Sequence, residues 1–164
     1  MSPHDSVRVT TTVALAPAEA FELFTKDVDL WWRRGPRFRA DGRRASVLRF
    51  EPGVGGRLVE IYDEARGDEF EFGRVLEWDP PESLRFEFRG ANFAPGEVTF
   101  VSVRFEPDPN GTRVTLTHGG FAALRADHPV RHGASEARFV ADMGGWWSEL
   151  LGSLRVTSRS RPPA

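Results

Sequence analysis

"FVADMGGWWSELLGSLR", residues 139–155, carries its apolar side chains at the spacing of one face of an α-helix. These side chains are Phe139, Met143, Trp146, Trp147, Leu150, Leu151 and Leu154. Apolar residues that recur every three or four positions predict an amphipathic helix, here from about Ser135 to Arg155. Such a helix is stable only when a second layer of structure covers its apolar stripe.

Six segments between residues 45 and 118 alternate with period two, which predicts six strands. They read ASVLRF, GRLVEIY, FEFGRVLEW, ESLRFEF, EVTFVSVRF and TRVTLTH. The connections between them are short, so the strands form an antiparallel meander. A strand at Val7–Val13 and two short helices precede them, the second helix starting at Asp27 as its cap. We therefore predict an α+β fold of order β-α-α-β6-α, with the helices on one face of the sheet.

The composition limits the classes of function. The chain has 164 residues, no cysteine and a net charge of −2. We expect one domain over residues 1–157 and a disordered tail over residues 158–164. The absence of cysteine excludes disulfides and thiol chemistry, and the small net charge argues against nucleic acid as a partner. Because no apolar run suggests a membrane span or a signal peptide, we expect a cytoplasmic protein without membrane insertion.

Four stretches in this order resemble the START-like, helix-grip superfamily, and within it the domain related to the C-terminal part of the activator of the Hsp90 ATPase. They are APAEAFELFT…LWW, GRVLEWDPPESLRFEF, GTRVTLTHGGF and GGWWSELLGSL. The resemblance implies a curved sheet wrapped around the C-terminal helix, with a cavity between them that in relatives often holds an apolar small molecule. It also suggests an Hsp90-type chaperone as a partner, and an exposed sheet edge could support a homodimer.

Four of the five tryptophans form the neighbouring pairs Trp31–Trp32 and Trp146–Trp147. Because adjacent residues cannot share a face, each pair is predicted to place one ring in the core and to aim the other elsewhere. Gly144 and Gly145 precede the second pair, and glycine inside a helix costs about 1 kcal/mol relative to alanine. Room for a ligand, close approach of the sheet, or a helix start or kink would each explain them.

The favoured function is non-enzymatic binding of a mostly apolar small molecule, with no cofactor. The expected apolar lining comprises Trp31, Trp32, Phe72, Phe86, Val103, Phe105, Leu116, Met143 and Trp147. Polar orientation would come from His118, Glu60 or Arg74, the last of which alternates onto the same strand face as Phe72 and Leu76. The same apolar side chains could instead pack against one another and leave no cavity.

An enzyme on the same fold, such as a polyketide cyclase or dehydratase, is the alternative from another class. It requires a buried acid or base, and Glu60 and His118 are the candidates. Glu60 is buried only if Leu58 and Tyr62 face inward; otherwise it is exposed or paired with an arginine. His118 is in phase with Leu116 and should point toward the helix, as a ligand contact, a base, or a histidine satisfied by backbone groups.

Two further groups of polar residues have ordinary explanations. His128 and His132 have the spacing of helical zinc ligands, but Pro129 and Gly133 argue against a regular helix, so no metal site is expected. Residues 33–44 contain six arginines, Arg33, Arg34, Arg37, Arg39, Arg43 and Arg44. They could attract a phosphate or carboxylate, or form a solvated, mobile loop.

Overall fold

The computed structural model describes residues 5–161, and their elements follow the predicted order. Strand β1 (Ser6–Val13) leads into helices α1 (Pro17–Thr25) and α2 (Val28–Trp31). The next strands are β2 (Val47–Phe50), β3 (Arg57–Asp63), β4 (Asp68–Asp79), β5 (Ser83–Phe88), β6 (Thr99–Asp108) and β7 (Gly111–Gly119). Two 3₁₀ turns, Phe121–Ala123 and Pro129–Arg131, precede helix α3 (Glu136–Arg159). Within residues 5–161, none of these helices has both the length and the apolar character needed to cross a membrane.

The seven strands form one antiparallel sheet in the order β1-β7-β6-β5-β4-β3-β2. Strands β2 to β7 pair in succession, and β1 pairs with β7, so that β1 and β2 are the edge strands. The sheet curls into a half-barrel, and α3 packs across it with its main contact on β1. The predicted α+β helix-grip fold is confirmed.

The core is built from the apolar stripe of α3 and the inward faces of the strands. Phe139, Trp147 and Leu150 of α3 are buried, and each such side chain contributes about 1.5–3 kcal/mol when it leaves water. Helix α1 begins at Pro17 without any side-chain cap from Ala16. Its stability therefore comes from tertiary burial, chiefly that of Phe24, and not from a capping interaction.

Strand β4 does not keep a single alternation, because its pairing register shifts three times, twice against β3 and once against β5. Phe72 and Val75 consequently both face the core although they are three residues apart, while Leu76 is 39% exposed. The prediction that Leu76 and Arg74 share the inner face with Phe72 is wrong for both. Gly73, between Phe72 and Arg74, passes so close to β5 that an added Cβ would lie 1.9 Å from the carbonyl oxygen of Glu87.

The C-terminal end of the chain is ordered further than predicted. Helix α3 continues to Arg159, Ser158 is buried, and Arg161 forms an ion pair of 2.6 Å with Asp27. The prediction of disorder from residue 158 is therefore wrong for residues 158–161, and residues 162–164 lie outside the described part. Asp27 stands at the start of α2 but makes no side-chain cap, because its carboxylate is used in this ion pair.

Candidate functional site

Both rings of the first tryptophan pair lie in the core, so the prediction that one of them is aimed elsewhere is wrong for this pair, and only their indole N–H groups point apart. Trp31 donates its indole N–H to the carbonyl oxygen of Leu23 at 3.1 Å, which fixes α2 against α1. Trp32 donates instead to the carbonyl oxygen of Phe38 at 2.9 Å. Both rings are buried and lie in contact, with centroids 5.5 Å apart. Their polar ends therefore point to different parts of the molecule.

The indole N–H groups of the second pair also point apart, and here one ring is less buried than the other. Trp147 is buried and donates to Nδ1 of His118 on the sheet at 3.0 Å. Trp146 is only half-buried and donates to the carbonyl oxygen of Arg37 at 2.7 Å. One indole from each pair thus holds the same segment, residues 33–46, which we call the arginine loop.

The arginine loop is fastened to α3 by side chains as well. The ring of Phe38 stacks on Trp146 with centroids 5.7 Å apart. Arg37 forms an ion pair of 2.7 Å with Glu149 of α3. Together with the two indole hydrogen bonds, these contacts make the loop a cover over the aromatic side chains beneath it, in place of the mobile loop that the sequence also allowed.

Five of the six arginines of the loop pair with carboxylates of this chain. Asp29 pairs with both Arg34 and Arg39, at 2.8 Å and 3.0 Å, and Arg44 pairs with Asp68. Although burial opposes it, the hydrogen bond from the Leu48 amide and the Arg39 guanidinium hold the pKa of Asp29 below its ordinary value. Arg34, Arg39 and Arg44 also line a surface cavity of about 380 Å³. Their guanidinium groups already pair with carboxylates of this chain.

Beneath the loop lies a continuous set of rings, here named the aromatic cluster. Trp32 is at its centre, with Phe88 6.2 Å, Trp146 5.9 Å and Trp147 5.6 Å away between ring centroids. Its members are Trp32, Phe38, Phe70, Phe72, Phe88, Trp146 and Trp147. The cluster occupies the end of the sheet–helix interior that the arginine loop closes.

Most of the predicted lining residues come together in one core. Eight of the nine apolar positions are buried there, and Met143 is half-buried against it; the eight are Trp31, Trp32, Phe72, Phe86, Val103, Phe105, Leu116 and Trp147. Only Trp32, Phe72 and Trp147 belong to the aromatic cluster. Phe105 packs at the other end, on Phe21 and Phe24 of α1. The rings contact one another, so side chains occupy the interior in this conformation.

Arg74 is not part of this interior. Its side chain is 56% exposed on the outer face of β4, where it approaches Glu71 at 3.6 Å. The register shift described above turns it outward. The prediction that Arg74 could orient a bound ligand is therefore wrong.

His118 points toward α3 as predicted, but both of its ring nitrogens are occupied. Nδ1 accepts from Trp147, so Nε2 carries the proton and donates to the hydroxyl of Thr99 at 2.7 Å. The Thr99 hydroxyl donates in turn to the carbonyl oxygen of Phe88 at 2.6 Å. Burial lowers the pKa of His118 to about 3, so the ring is neutral at physiological pH. This arrangement gives His118 a structural role and leaves no free nitrogen for a base or a ligand contact.

Glu60 is fully buried, which is the less ordinary of the two arrangements left open by the sequence. Its Oε1 accepts from the backbone N–H of Ala40 at 2.8 Å, at the inner side of the arginine loop. Its Oε2 is buried as well, and the phenol of Tyr62 donates a hydrogen bond to the carboxylate. Burial raises the pKa of the neighbouring Tyr62 phenol, and the hydrogen bond to Glu60 and the charge of Glu60 raise it further.

The two histidines with zinc-like spacing do not come together. His128 is buried and donates from Nε2 to Glu97 at 3.0 Å, while its Nδ1 accepts from the Val130 amide and caps a 3₁₀ turn. His132 is exposed. Across residues 5–161, no group of three or more histidine, aspartate or glutamate side chains is placed to hold a metal ion.

The sequence analysis missed four members of the aromatic cluster: Phe38, Phe70, Phe88 and Trp146. Phe70 and Phe88 lie two residues from Phe72 and Phe86, which were predicted to line the interior, so strand alternation predicts the same face for them. Phe38 gave a different signal, since it is the one large apolar side chain in an otherwise polar, arginine-rich loop. Trp146 could not be assigned because either member of its pair could have faced the core.

Comparison with known proteins agrees with this architecture. A protein from Mesorhizobium loti shares 18% identity over 96% of this chain and 99% of its own, with a TM-score of 0.64. A protein of unknown function from Staphylococcus aureus shares 12% identity over 94% and 93%, with a TM-score of 0.67. An HSP90 activator from Plasmodium falciparum shares 19% identity over 93% and 95%, with a TM-score of 0.61. At these identities the structures share the fold alone.

The sequence carries a more specific relationship than the structures do. No curated protein matches the chain. A family profile does, however, and it matches residues 14–155, from the end of β1 to the last turns of α3. The chain belongs to the family described as Activator of Hsp90 ATPase homolog 1-like proteins.

Proposed function

We propose that this protein binds an apolar small molecule at the aromatic cluster, without catalysing a reaction, and that the arginine loop opens to admit it. The observation that carries this proposal is the way the cluster is closed. Trp32 and Trp146 each reach the loop through one indole hydrogen bond, to carbonyl groups of consecutive residues. Release of this short segment would bring several large rings into contact with water or a ligand.

The energetics of the closure favour a gate and not a permanent part of the core. The two hydrogen bonds contribute about 1 kcal/mol each. The exposed Arg37–Glu149 ion pair contributes about 0–1 kcal/mol, and the Phe38–Trp146 stack about 0.5–1.5 kcal/mol. Release is confined to Arg37 and Phe38: it costs these contacts and the burial of the Phe38 ring, while the ion pairs of Arg34, Arg39 and Arg44 and the hydrogen bond from Ala40 to Glu60 stay in place. A ligand that replaces the ring contacts can offset this cost through the apolar surface it buries.

The polar groups support binding over catalysis. An acid–base enzyme needs a titrating group that reaches the substrate. Both nitrogens of His118 are held by Trp147 and Thr99, and its pKa is lowered to about 3. Ring contacts and the burial of apolar surface are what this interior offers a ligand.

Cross-linking tests whether binding depends on loop opening. The chain has no cysteine, so the double variant Arg37→Cys/Glu149→Cys can be joined by a short bismaleimide across the existing ion pair. N-phenyl-1-naphthylamine, a neutral probe whose fluorescence rises in apolar surroundings, is titrated before and after cross-linking, and native mass spectrometry gives the stoichiometry. We expect one probe per chain before cross-linking and at least tenfold slower or weaker binding afterwards.

A second arginine–glutamate pair provides the matched control. Arg49 and Glu64 form an exposed ion pair of 3.0 Å away from the loop, and the variant Arg49→Cys/Glu64→Cys can be cross-linked in the same way. Its probe binding should be unchanged. Equal binding by both cross-linked proteins, or no saturable binding by the unmodified chain, would refute the proposal.

A chaperone interaction is the second candidate, favoured by the family and by the similarity to the HSP90 activator from Plasmodium falciparum. It predicts that the purified chain changes the ATPase rate of an Hsp90-type chaperone at micromolar concentration. An unchanged rate, together with no complex in size-exclusion chromatography, would remove this candidate. Neither result affects the ligand-binding test, because the two measurements share no component other than this chain.

A further inference from the structure

The surface cavity of about 380 Å³ beside the arginine loop is cationic. Its charged lining residues are Arg34, Arg39 and Arg44, and the remaining lining residues are small: Gly35, Gly42, Ala45 and Ser46. Within the described part of the chain, no aspartate or glutamate lines it. Its volume lies in the range of sites that bind small molecules. The cavity therefore has room for a ligand, and the charge of its lining favours an anion.

The two ends of the arginine loop meet at this cavity. A Cβ added to Gly42 would lie 2.2 Å from the backbone nitrogen of Pro36, so the approach of the two ends requires glycine at this position. Arg34 joins the ends a second time, because it donates to the carbonyl oxygen of Ser46 at 2.8 Å. These contacts fix the backbone that carries the three arginines.

The guanidinium groups are held in place but are not used up. Arg39 is buried, and its hydrogen bonds go to Asp29 and to two backbone carbonyl oxygens. Arg44 is exposed, pairs with Asp68 and lies over the ring of Tyr62, 4.1 Å from the ring centroid. A guanidinium group carries more N–H donors than Arg44 uses in these contacts, and the same is true of the exposed Arg34. Both side chains can therefore donate to a ligand without losing their present partners.

Two of the three arginines share one carboxylate. Asp29 pairs with Arg34 at 2.8 Å and with Arg39 at 3.0 Å, and it also accepts from the Leu48 amide at 2.9 Å. Burial lowers the pKa of Arg39, and the positive charge of Arg34 lowers it further, although Asp29 raises it. Glu60 influences Arg39 less than any of these and accepts no hydrogen bond from it. One positive charge at the cavity is thus left without a carboxylate in contact with it.

We infer that this cavity, here named the anion cavity, binds the phosphate group of a small molecule. Guanidinium groups match the oxygens of phosphate with pairs of parallel hydrogen bonds. A phosphate monoester carries more negative charge at neutral pH than a carboxylate, and it offers more oxygens to several arginines at once. The anion cavity is lined by residues that stay in place when Arg37 and Phe38 are released, so this inference does not depend on the proposed function.

Calorimetric titration at constant ionic strength tests the inference, because the screening of surface charges then stays the same for every probe. The probes are inorganic phosphate, glycerol 3-phosphate and acetate. We expect saturable binding of one phosphate or one glycerol 3-phosphate per chain. Acetate should bind at least about tenfold more weakly, since it loses charged hydrogen bonds. Equal affinity for acetate, or no saturable binding of either phosphate compound, would overturn the inference.

The variant Arg44→Gln tests the position of the site. It removes one guanidinium group from the cavity and should weaken the binding of both phosphate compounds at least about tenfold. Arg113→Gln is the matched control, because Arg113 is on β7, does not line the cavity and forms a similarly exposed ion pair. Its affinity for phosphate should equal that of the unmodified chain. If both variants weaken binding equally, the phosphate responds to surface charge in general and the inference is overturned.

A second variant guards against loss of folding. Arg34→Gln leaves Asp29 paired with Arg39, and it should weaken phosphate binding as Arg44→Gln does. Circular dichroism confirms that each variant is folded before it is titrated. Retained affinity in both folded variants would overturn the inference.

Sedimentation with vesicles distinguishes the two sources of the phosphate group. Vesicles of phosphatidylcholine that contain phosphatidic acid present the group on a lipid, and glycerol 3-phosphate presents it in solution. Sedimentation that is lost in Arg44→Gln supports the inference with a lipid headgroup as the ligand. Binding of glycerol 3-phosphate without sedimentation supports it with a soluble ligand. The binding of N-phenyl-1-naphthylamine is measured separately, so failure of the proposed function and failure of this inference are distinguishable.

Discussion

Replacing His118 should remove a defined part of the pH dependence of stability. The folded chain keeps the ring neutral because burial lowers the pKa of His118 from 6.5 to about 3. The unfolded chain, with an ordinary pKa near 6.5, takes up a proton as the pH falls. Stability from this group is therefore fully present above about pH 6.5 and is lost as the pH falls from about 6.5 toward 3.

The size of the effect follows from the same two pKa values. Each pH unit between them costs about 1.4 kcal/mol, so lowering the pH from 7.5 to 5.0 removes about 2 kcal/mol from the free energy of unfolding. For a domain of this length that corresponds to a fall in Tm of about 4–8 °C. Carboxylates contribute little above pH 5, because their ordinary pKa values are about 4.

Urea denaturation of the unmodified chain and of His118→Gln at both pH values measures this contribution. Glutamine offers an uncharged amide in place of the ring and does not titrate. The variant should be less stable at both pH values, yet its stability should fall by about 2 kcal/mol less between them. His132→Asn is the control, since that ring is exposed and its φ of 51° suits asparagine. If His118→Gln loses as much stability on acidification as the unmodified chain, the assignment of a buried neutral His118 is refuted.

Three further substitutions test the packing around the site. Gly145→Ala should raise the free energy of unfolding by about 0.5–1 kcal/mol, because nothing lies within 4 Å of the new methyl group. Gly144→Ala should raise it less, because a methyl group of Val7 on β1 lies 3.2 Å away. Equal increases in urea denaturation would contradict this. Gly73→Ala should destabilise the chain by more than about 2 kcal/mol, because its Cβ would meet the Glu87 carbonyl at 1.9 Å; a Tm unchanged from that of the unmodified chain would show that β4 adjusts. Trp146→Phe should speed amide hydrogen exchange across residues 35–46 by about fivefold, because a hydrogen bond of about 1 kcal/mol to the loop is lost; unchanged exchange there would show that this indole does not hold the loop.

The periodicity of the sequence was sufficient to predict the order of elements, because burial on one face is what maintains a period of two or of 3.6. It failed at Arg74 and Leu76, because a bulge in β4 changes which side chains face inward, and composition does not mark its position. It failed again at residue 158, where a polar tail is held by the contact between Arg161 and Asp27, residues 134 positions apart in the chain. Contacts between distant residues leave no periodic signal.

The roles of Glu60 and His118 show the same limit at the site. Alternation could place each side chain on a strand face, but it could not say which partners it would meet. His118 meets Trp147 and Thr99, and this exhausts its hydrogen-bonding capacity. Glu60 meets the backbone amide of Ala40 and the phenol of Tyr62. The partners of both candidate acids or bases thus come from distant parts of the chain, which alternation does not reveal.

Under the proposed function, the two tryptophan pairs allow the fold to combine a stable core with a cover that opens. Trp31 and Trp147 direct their indole N–H groups to acceptors on α1 and on the sheet, so they remain satisfied when the arginine loop leaves. Trp32 and Trp146 direct theirs to the loop, so their hydrogen bonds are the ones exchanged for water or a ligand on opening. Because the two tryptophans of each pair are consecutive in the chain, their rings stay in contact, with centroids 5.5 Å apart in the first pair and 4.9 Å apart in the second. The loop can therefore open at the cost of its own fastening contacts, while the hydrogen bonds that join α2 to α1 and α3 to the sheet stay in place.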